Sequence, residues 1–266
     1  MNTDPIIRYT ALPPEVTAFS TTRHGGVSTG SYASLNCTPY TGDEADNVRR
    51  NQELLLQALP QRPQELVIPW QTHGTQALVI DDSYLQADAQ TRHERLQGID
   101  ALITRLPHVC LCVSTADCIP ILLYDARHRA VAAVHAGWRG TVNRIARQTL
   151  ERMQALYGTR GEDVWAVIGP GISLAAFEVG EEVYEAFRTA GFRMDYIARW
   201  HNDTHKHHID LPAANVLQLL DFGVPDRQIT QCGICTYTRH TDFFSARRLG
   251  IRSGRMLTGI MMKSDE

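Results

Sequence analysis

The chain has 266 residues, of which 43% are hydrophobic and 21% are charged. Its formal net charge of −3 excludes the strongly basic surface of a typical nucleic-acid-binding protein or of a protein held on an anionic membrane. No segment approaches the ~18 consecutive apolar residues of a membrane span, and the N-terminus lacks the charged and apolar regions of a signal peptide. Six cysteines are too few for a disulfide scaffold in a chain this long. We therefore expect free thiols and a cytoplasmic location.

Apolar runs bounded by turn-forming residues predict strands, and apolar residues at intervals of three and four predict helices. In chain order, the predicted elements are a strand at 16–22, a helix at 43–58, two strands within 65–81 that are interrupted at 71–74, strands at 98–105, 109–115, 119–124 and 130–134, a helix at 141–157, a strand at 164–172, helices at 181–190 and 212–222, and strand character within 243–262. Strands and helices are interspersed without strict alternation, which favours a mixed α/β domain with a largely mixed sheet. No repeat or linker-like stretch divides the chain, so we predict one domain over residues 1–266.

Three side chains that can bind a metal each lie at the end or at the interruption of a predicted strand. They are His73, Cys118 and His135, and strand ends of a rigid scaffold commonly present such groups to a cleft. Two imidazoles and one thiolate would leave a fourth tetrahedral position for water or substrate, which is the pattern of a catalytic zinc. Zinc lowers the pKa of a coordinated water to about 7. Asp117 is the nearest carboxylate that could move a proton in such a site.

The same residues allow a second, metal-free interpretation. Cys118 would then be a nucleophile and His135 its base. Such a thiol needs a nearby positive charge that favours the thiolate, and Arg139 in the segment HAGWRGT could supply it. From the residues alone, both interpretations stay open.

Arginines beside glycines form another group of candidate residues. Arg23, Arg139 and Arg247 lie in predicted turns, and Arg139 comes just before the helix predicted to begin at Thr141 as its N-cap. The free N–H groups of a helix start favour an anion, and arginine binds phosphate or carboxylate with two hydrogen bonds. The alternative is that Trp138 and Arg139 only pack at the surface.

Two further cysteines, Cys110 and Cys112, lie two residues apart on a predicted strand. We predict that they point to opposite faces, so that they do not share a metal.

A series of motifs resembles a known family. In chain order, the motifs are TTRHGGVSTGSYASLN, WQTHG, DALIT, STADCIPILLYD, AAVHAGWRGT, IGPGIS followed by FEVG, HIDLPAANVLQL, and CTYTRHTDFFSARR followed by SGRM. Together they span about residue 17 to residue 262, and they resemble those of the YfiH or laccase-domain family. The resemblance implies a single α/β domain of a type that is similar to a group of cysteine hydrolases. It also implies a zinc site whose ligands are His73, Cys118 and His135, with copper as a less favoured alternative.

The resemblance further implies activities on purine nucleosides. These are phosphorolysis of adenosine, inosine, guanosine and S-methyl-5′-thioadenosine, with adenosine deaminase activity, so the expected partners are purine nucleosides and phosphate. Catalysis is assigned to Cys118, Asp117 and His135. Substrate binding is assigned to a larger set, namely Arg23, Asn36, Arg139, Phe244 and Arg247, in which Phe244 could stack on a base.

Several alternatives accompany this prediction. Family members have been linked to peptidoglycan editing, which gives the metal-free Cys118 and His135 hydrolase a substrate class, a peptidoglycan precursor. A copper-dependent polyphenol oxidase is another alternative, although the segment IGPGIS lacks the cysteine that many relatives carry and only His73 and His135 are well placed as histidine ligands. The last alternative is a non-enzymatic module that binds a nucleotide or a precursor. We expect a monomer or a small homo-oligomer.

Overall fold

The computed structural model describes residues 4–264. The strands are β1 (Ile6–Arg8), β2 (Val16–Thr21), β3 (Glu65–Val67), β4 (Ala77–Val79), β5 (Ala101–Thr104), β6 (Val109–Thr115), β7 (Ile119–Asp125), β8 (Ala130–Ala136), β9 (Val164–Ile168), β10 (Glu178–Val179), β11 (Ala198–His201), β12 (Lys206–Ile209), β13 (Ile229–Gln231) and β14 (Met256–Met262). The α-helices are α1 (Ala45–Ala58), α2 (Asp82–Gln86), α3 (Ala89–Arg95), α4 (Trp138–Val142), α5 (Ile145–Tyr157), α6 (Glu181–Thr189), α7 (Met194–Ile197), α8 (Leu211–Phe222) and α9 (Ala246–Leu249). Single 3₁₀ turns occur at Gly30–Tyr32, Gly161–Asp163 and Asp226–Gln228.

The strands form three sheets. A five-stranded sheet has the order β1-β2-β14-β6-β3, a six-stranded sheet has the order β13-β9-β7-β8-β5-β4, and a three-stranded sheet has the order β10-β12-β11. Most neighbouring strands are antiparallel, whereas β3 with β6, β4 with β5, and β13 with β9 are parallel pairs. The prediction of a mixed α/β fold with mixed pairing is therefore confirmed.

The two larger sheets pack face to face, and helices cover their outer faces. Residues of alternate parity on a strand point to opposite sides, so Val131 and Ala133 of β8 lie in the apolar layer between the sheets, together with Leu111 of β6. Ala132 of β8 faces the other way, toward a layer that contains Leu150 of α5. Both faces of the central strands are thus buried, which explains why β6, β7 and β8 are nearly continuous apolar runs.

The interruption predicted at 71–74 is confirmed and has a structural role. β3 before it belongs to the five-stranded sheet, and β4 after it belongs to the six-stranded sheet. The chain passes between sheets again between β6 and β7. These two crossings bring residues of both loops to one edge of the sandwich.

The helix predicted over 141–157 is divided, and the N-cap assignment of Thr141 is wrong. α4 ends and α5 begins around Arg144, which has a left-handed φ of 62°. Thr141 lies inside α4, where its N–H donates to the carbonyl of Gly137 at 2.8 Å and its hydroxyl accepts from the Asn215 amide at 3.1 Å. The amphipathic pattern continues across this break, because Val142 before it and Ile145 after it pack in the same apolar layer. The break was therefore not evident from the sequence.

Two other expectations are corrected. Cys110 and Cys112 lie on the same face of β6 with their sulfur atoms 3.7 Å apart, because residues two apart on a strand share a face. The segment 243–262 is not all strand, since α9 precedes β14.

The prediction of one domain over 1–266 reaches beyond the described residues and stays a prediction. Within residues 4–264, no helix combines the length and the apolar character that crossing a bilayer requires.

Candidate metal centre

His73, Cys118 and His135 meet at the edge of the sandwich. One nitrogen of each imidazole and the sulfur of Cys118 all lie within 4.8 Å of one another. The two imidazole rings meet edge to face with centroids 4.8 Å apart. Residues that are far apart in sequence therefore form one compact group, as the strand-end pattern predicted.

Each of the three residues is fixed by a different element. His135 is the penultimate residue of β8 and pairs with Pro120 of β7, which places it two residues from Cys118 across the sheet. Cys118 directly precedes β7, after Asp117, which has a φ of 85°. His73 lies in the crossing between β3 and β4 and has a φ of 63°. Asp and His are among the residue types found most often in this left-handed region, so both turns use residues that tolerate it.

Asp100 connects the two histidine-bearing segments and was missed in the sequence. Its carboxylate is fully buried and accepts a hydrogen bond from Nδ1 of His135 at 2.7 Å. It also accepts from three successive main-chain amides, those of Thr72, His73 and Gly74, at 3.2, 3.0 and 2.7 Å. Since a carboxylate can only accept here, Nδ1 of His135 must carry the proton, and Nε2 is left as the donor atom for a metal. The sequence held one indication of this role. Asp100 directly precedes the apolar strand β5, and a carboxylate that is buried at such a place requires hydrogen-bond partners.

Charge is coupled across the group. Burial alone would raise the pKa of the Cys118 thiol, but the neighbouring His135 and His73 rings outweigh it and lower that pKa to about 6. Burial alone would lower the pKa of His135, but the Cys118 thiolate and the Asp100 carboxylate raise it to about 9. Burial alone would raise the pKa of Asp100, but His135 and the main-chain amides of Gly74 and Thr72 lower it below its ordinary value. The group therefore favours a thiolate at neutral pH, the form that binds metals and attacks electrophiles.

Gly137 allows the three side chains to approach. A Cβ atom at this position would lie 2.8 Å from Cδ2 of His73 and 3.1 Å from the sulfur of Cys118. The first distance is shorter than real Cβ contacts and the second is tight, so a larger residue would displace the His73 ring. The glycine of the HAGWRG motif thus has a steric role at the centre.

A cavity of about 580 Å³ opens directly over this group. Its wall contains four aromatic side chains, namely Tyr40, Trp70, Trp138 and Phe177. Two arginines, Arg247 and Arg255, also line it. The volume lies within the range of small-molecule sites, and the aromatic and cationic groups suit a ligand with a planar apolar part and an anionic part.

Apart from Cys118 and His135, two residues that were predicted to act on the substrate line the cavity. They are Asp117 and Arg247. The Asp117 carboxylate accepts from the Thr236 hydroxyl and from the main-chain amide of Arg247, both at 2.7 Å. Arg139 is exposed and stacks over the ring of Trp138 at 4.3 Å, which matches the alternative of surface packing. The N–H of Thr141 is already bonded within α4, so the proposed anion site at that helix start is not available.

Three other candidates are not among the residues that line the cavity. Phe244 is fully buried in a small apolar cluster, and Asn36 has no exposed surface, so neither is placed to touch a ligand. Arg23 donates to the carbonyls of Ala33 and His240 and lies over the Phe244 ring. The burial of Phe244 and Asn36 was not evident from the sequence, and the substrate-binding role of all three residues stays a prediction. Arg255 was missed, since nothing in the sequence shows that its side chain lines the cavity.

The residues present fit a metal ion. Two imidazole nitrogens and a thiolate are a donor set that zinc and copper accept. A carboxylate that orients a ligating histidine is a common support of such sites, and Asp100 supplies it. All three residues line the cavity, so a metal that they held would be accessible to a ligand there.

The chain resembles proteins that have been named for purine nucleoside chemistry. Over 247 residues it is 62% identical to a purine nucleoside phosphorylase of Bacteroides thetaiotaomicron, with 93% of this chain and 92% of the relative covered. It is 44% identical over 248 residues to adenosine deaminase RL5 of an unknown prokaryotic organism, with 93% and 94% covered.

Solved structures share the whole fold. The crystal structure of YlmD from Geobacillus stearothermophilus superimposes with a TM-score of 0.90 at 30% sequence identity, covering 99% of this chain and 98% of the other. The structure of the hypothetical protein YfiH of Bacillus licheniformis gives a TM-score of 0.86 at 30% identity, with 93% of each chain covered. The sequence pattern of the family described as multi-copper polyphenol oxidoreductase laccase matches residues 17–263. The resemblance inferred from the motifs is confirmed, and the chain belongs to this laccase-domain family.

Proposed function

We propose that this protein is a zinc-dependent enzyme of purine nucleosides. It cleaves adenosine, inosine, guanosine and S-methyl-5′-thioadenosine with phosphate and also deaminates adenosine. The observation that carries the proposal is the open group of His73, Cys118 and His135 at the base of a cavity of about 580 Å³. The printed names of relatives at 62% and 44% identity, a purine nucleoside phosphorylase and an adenosine deaminase, support the substrate class.

The three ligands hold the metal, and the remaining residues act on the substrate. A bound zinc supplies Lewis acidity and lowers the pKa of a coordinated water. Asp117 lies beside Cys118 on the cavity wall and carries a proton during deamination. The hydrogen bonds from Thr236 and Arg247 fix its carboxylate. Trp70 is 43% exposed within the wall and offers a face for the purine base.

Paired activities and metal content test this proposal. Zinc-loaded protein should release the free base from inosine only when phosphate is present, and should convert adenosine to inosine without phosphate. His73→Ala and Cys118→Ala should lose bound zinc and both activities. His93→Ala, which removes an exposed histidine outside the cavity, serves as the matched control and should retain them. If wild-type protein with one zinc per chain turns over no purine nucleoside, the proposal is wrong.

One observation favours a second candidate, a metal-free thiol hydrolase. Cys118, His135 and Asp100 have the relationship of nucleophile, base and orienting carboxylate, since Asp100 holds Nδ1 of His135 and the His135 ring lowers the pKa of Cys118. Such an enzyme would act on an amide in a peptidoglycan precursor. Its turnover would survive a chelator and stop after alkylation with iodoacetamide. The zinc enzyme should show the opposite response to the chelator.

Metal analysis addresses the copper alternative. We expect zinc in the purified protein, and a copper-dependent polyphenol oxidase would instead show copper-dependent oxygen uptake with a phenol. The cytoplasmic location and the monomeric or small homo-oligomeric state stay predictions.

A further inference from the structure

Within residues 4–264, the side chains of two arginines on the cavity wall donate hydrogen bonds to no carboxylate. Among the described residues, the guanidinium of Arg247 donates to the carbonyl of Glu178 at 3.0 Å. That of Arg255 donates to the carbonyls of Ile251, Ser253 and Gly254, and weakly to the Ser253 hydroxyl. Surface arginines such as Arg62 and Arg188 bind a glutamate instead. In this described part of the chain, neither guanidinium of the cavity pair is thus engaged in a salt bridge.

The position of Arg255 is fixed from three directions. Nη1 contacts the Ser253 and Gly254 carbonyls at 2.6 and 3.0 Å, and Nη2 contacts the Ile251 carbonyl at 2.8 Å. The main-chain amide of Arg255 donates to the side-chain oxygen of Asn36 at 3.1 Å. Asn36 is therefore a positioning residue, which gives this buried side chain a role that direct substrate contact could not.

These bonds leave a donor of Arg255 unused. A guanidinium has five N–H groups, and the side-chain hydrogen bonds of Arg255 within residues 4–264 involve Nη1 and Nη2 but not Nε. The Nε–H is therefore available to a phosphate or carboxylate oxygen, and together with a neighbouring N–H of the same guanidinium it can form a two-donor edge. A guanidinium held this way loses little conformational freedom when it binds.

The charged groups around Arg255 also bear on its binding of an anion. Burial lowers the pKa of Arg255, whereas the charges of Cys118 and Asp117 act to raise it, so this guanidinium lies within electrostatic reach of the centre. Arg247 is on the same wall, and its own amide holds Asp117. The two guanidinium groups offset the charges of Asp117 and Cys118, so an anion that enters the cavity meets cationic donors on this wall.

We infer that Arg247 and Arg255 together bind the phosphate that attacks the nucleoside. The inference rests on the proposed function and extends it by placing the anionic co-substrate. During phosphorolysis, a phosphate oxygen forms a bond to C1′ of the ribose as the C1′–N9 bond breaks. The electron pair of that bond stays on the purine, which takes up the proton of hydrogen phosphate and leaves as the free base, with ribose 1-phosphate as the other product. The arginines hold the phosphate beside C1′ and stabilise its charge.

Phosphate kinetics and phosphate binding test the inference separately. Arg255→Met and Arg247→Met should each raise the KM for phosphate at least about 10-fold, with the KM for inosine within about 2-fold and the zinc content unchanged. Arg255→Lys should recover part of the loss, because it keeps the charge without the two-donor edge. Arg252→Met, which removes an exposed arginine of the same loop, should behave as wild type. Calorimetric titration of zinc-loaded protein with inorganic phosphate alone should show the same ranking.

The outcomes separate this inference from the proposed function. If wild-type protein releases base with phosphate while both Met variants keep its phosphate KM, the inference is wrong and the function stands. If wild-type protein binds phosphate through these arginines but cleaves no nucleoside, the function is wrong and the anion site stands. Loss of zinc in folded Arg255→Met and Arg247→Met would show a structural role and overturn the inference. Wild-type protein that neither binds nor uses phosphate would overturn both.

Discussion

At the scale of single residues, Asp100 organises the centre. It fixes the tautomer of His135 and gathers three amides of the loop that carries His73. Both histidine ligands therefore depend on one buried carboxylate, although Asp100 itself is not a ligand in the group.

Asp100→Asn should weaken zinc binding about 10- to 100-fold. The amide has only one acceptor oxygen, and its NH₂ group would face N–H donors. Competition with a chelator of known affinity measures the effect. Asp125→Asn is the matched control, since Asp125 is equally buried and binds Nδ1 of His128 at 2.8 Å outside the centre. Equal zinc affinity in wild type and Asp100→Asn would contradict the assigned role.

The lowered pKa of Cys118 gives a pH prediction for the metal-stripped protein. Since that pKa is about 6, the thiolate persists, and its stabilising contact with His135 is retained, until the pH falls through 6. Alkylation of Cys118 by iodoacetamide should therefore have its midpoint near pH 6, well below the value of about 8.5 for a free cysteine. Peptide mass spectrometry separates it from the partly exposed Cys232 and Cys235. His135→Ala should move the midpoint upward, and an unchanged midpoint near 8.5 in wild type would refute the coupling.

At the scale of elements, the strand ends were predictable and their partners were not. Apolar runs marked β7 and β8, and the break at 71–74 marked the crossing that holds His73. The sequence could not show that Asp100 reaches both segments, because that contact depends on the pairing of β5 with β8. It also could not show that Phe244 is in the core, since a paired apolar residue fits a binding wall and a core equally. Arg255 shows the same limit, because the sequence does not show that carbonyls of its own loop hold its guanidinium at the cavity wall.

Helix α5 supplies a stability prediction. Leu150 is fully buried, whereas Leu156, which has the same apolar side chain on the same helix, is 40% exposed. Leu150→Ala should lower the free energy of unfolding by about 2–5 kcal/mol, and Leu156→Ala should lower it by less than about 1 kcal/mol. Urea unfolding of metal-stripped protein measures both. Similar losses in the two variants would contradict the packing described for this helix.

At the scale of the whole molecule, the centre joins the two large sheets. His73 and Cys118 each lie in a connection that crosses from the five-stranded to the six-stranded sheet, and His135 ends a strand of the latter. A metal bound by all three would therefore hold both crossings at the same edge. The binding energy of such a metal would contribute directly to the stability of the sandwich.

Metal removal should accordingly lower the melting temperature. At a free zinc concentration 100 times the Kd, binding adds about 2.7 kcal/mol to the free energy of unfolding. A chelator should lower the Tm of wild type toward its metal-free value and leave the Tm of Cys118→Ala unchanged. Calorimetry with and without chelator gives both values. A wild-type Tm that does not respond to zinc or chelator would contradict a metal that bridges the crossings.

The most direct measurement of the central claim is a titration of metal-stripped protein with zinc, followed by phosphate-dependent release of base from inosine. A zinc-dependent nucleoside enzyme predicts a rate that is near zero without metal, rises in proportion to added zinc and levels off at one equivalent per chain. A full rate in the stripped protein, or no base release at one equivalent of bound zinc, would contradict it.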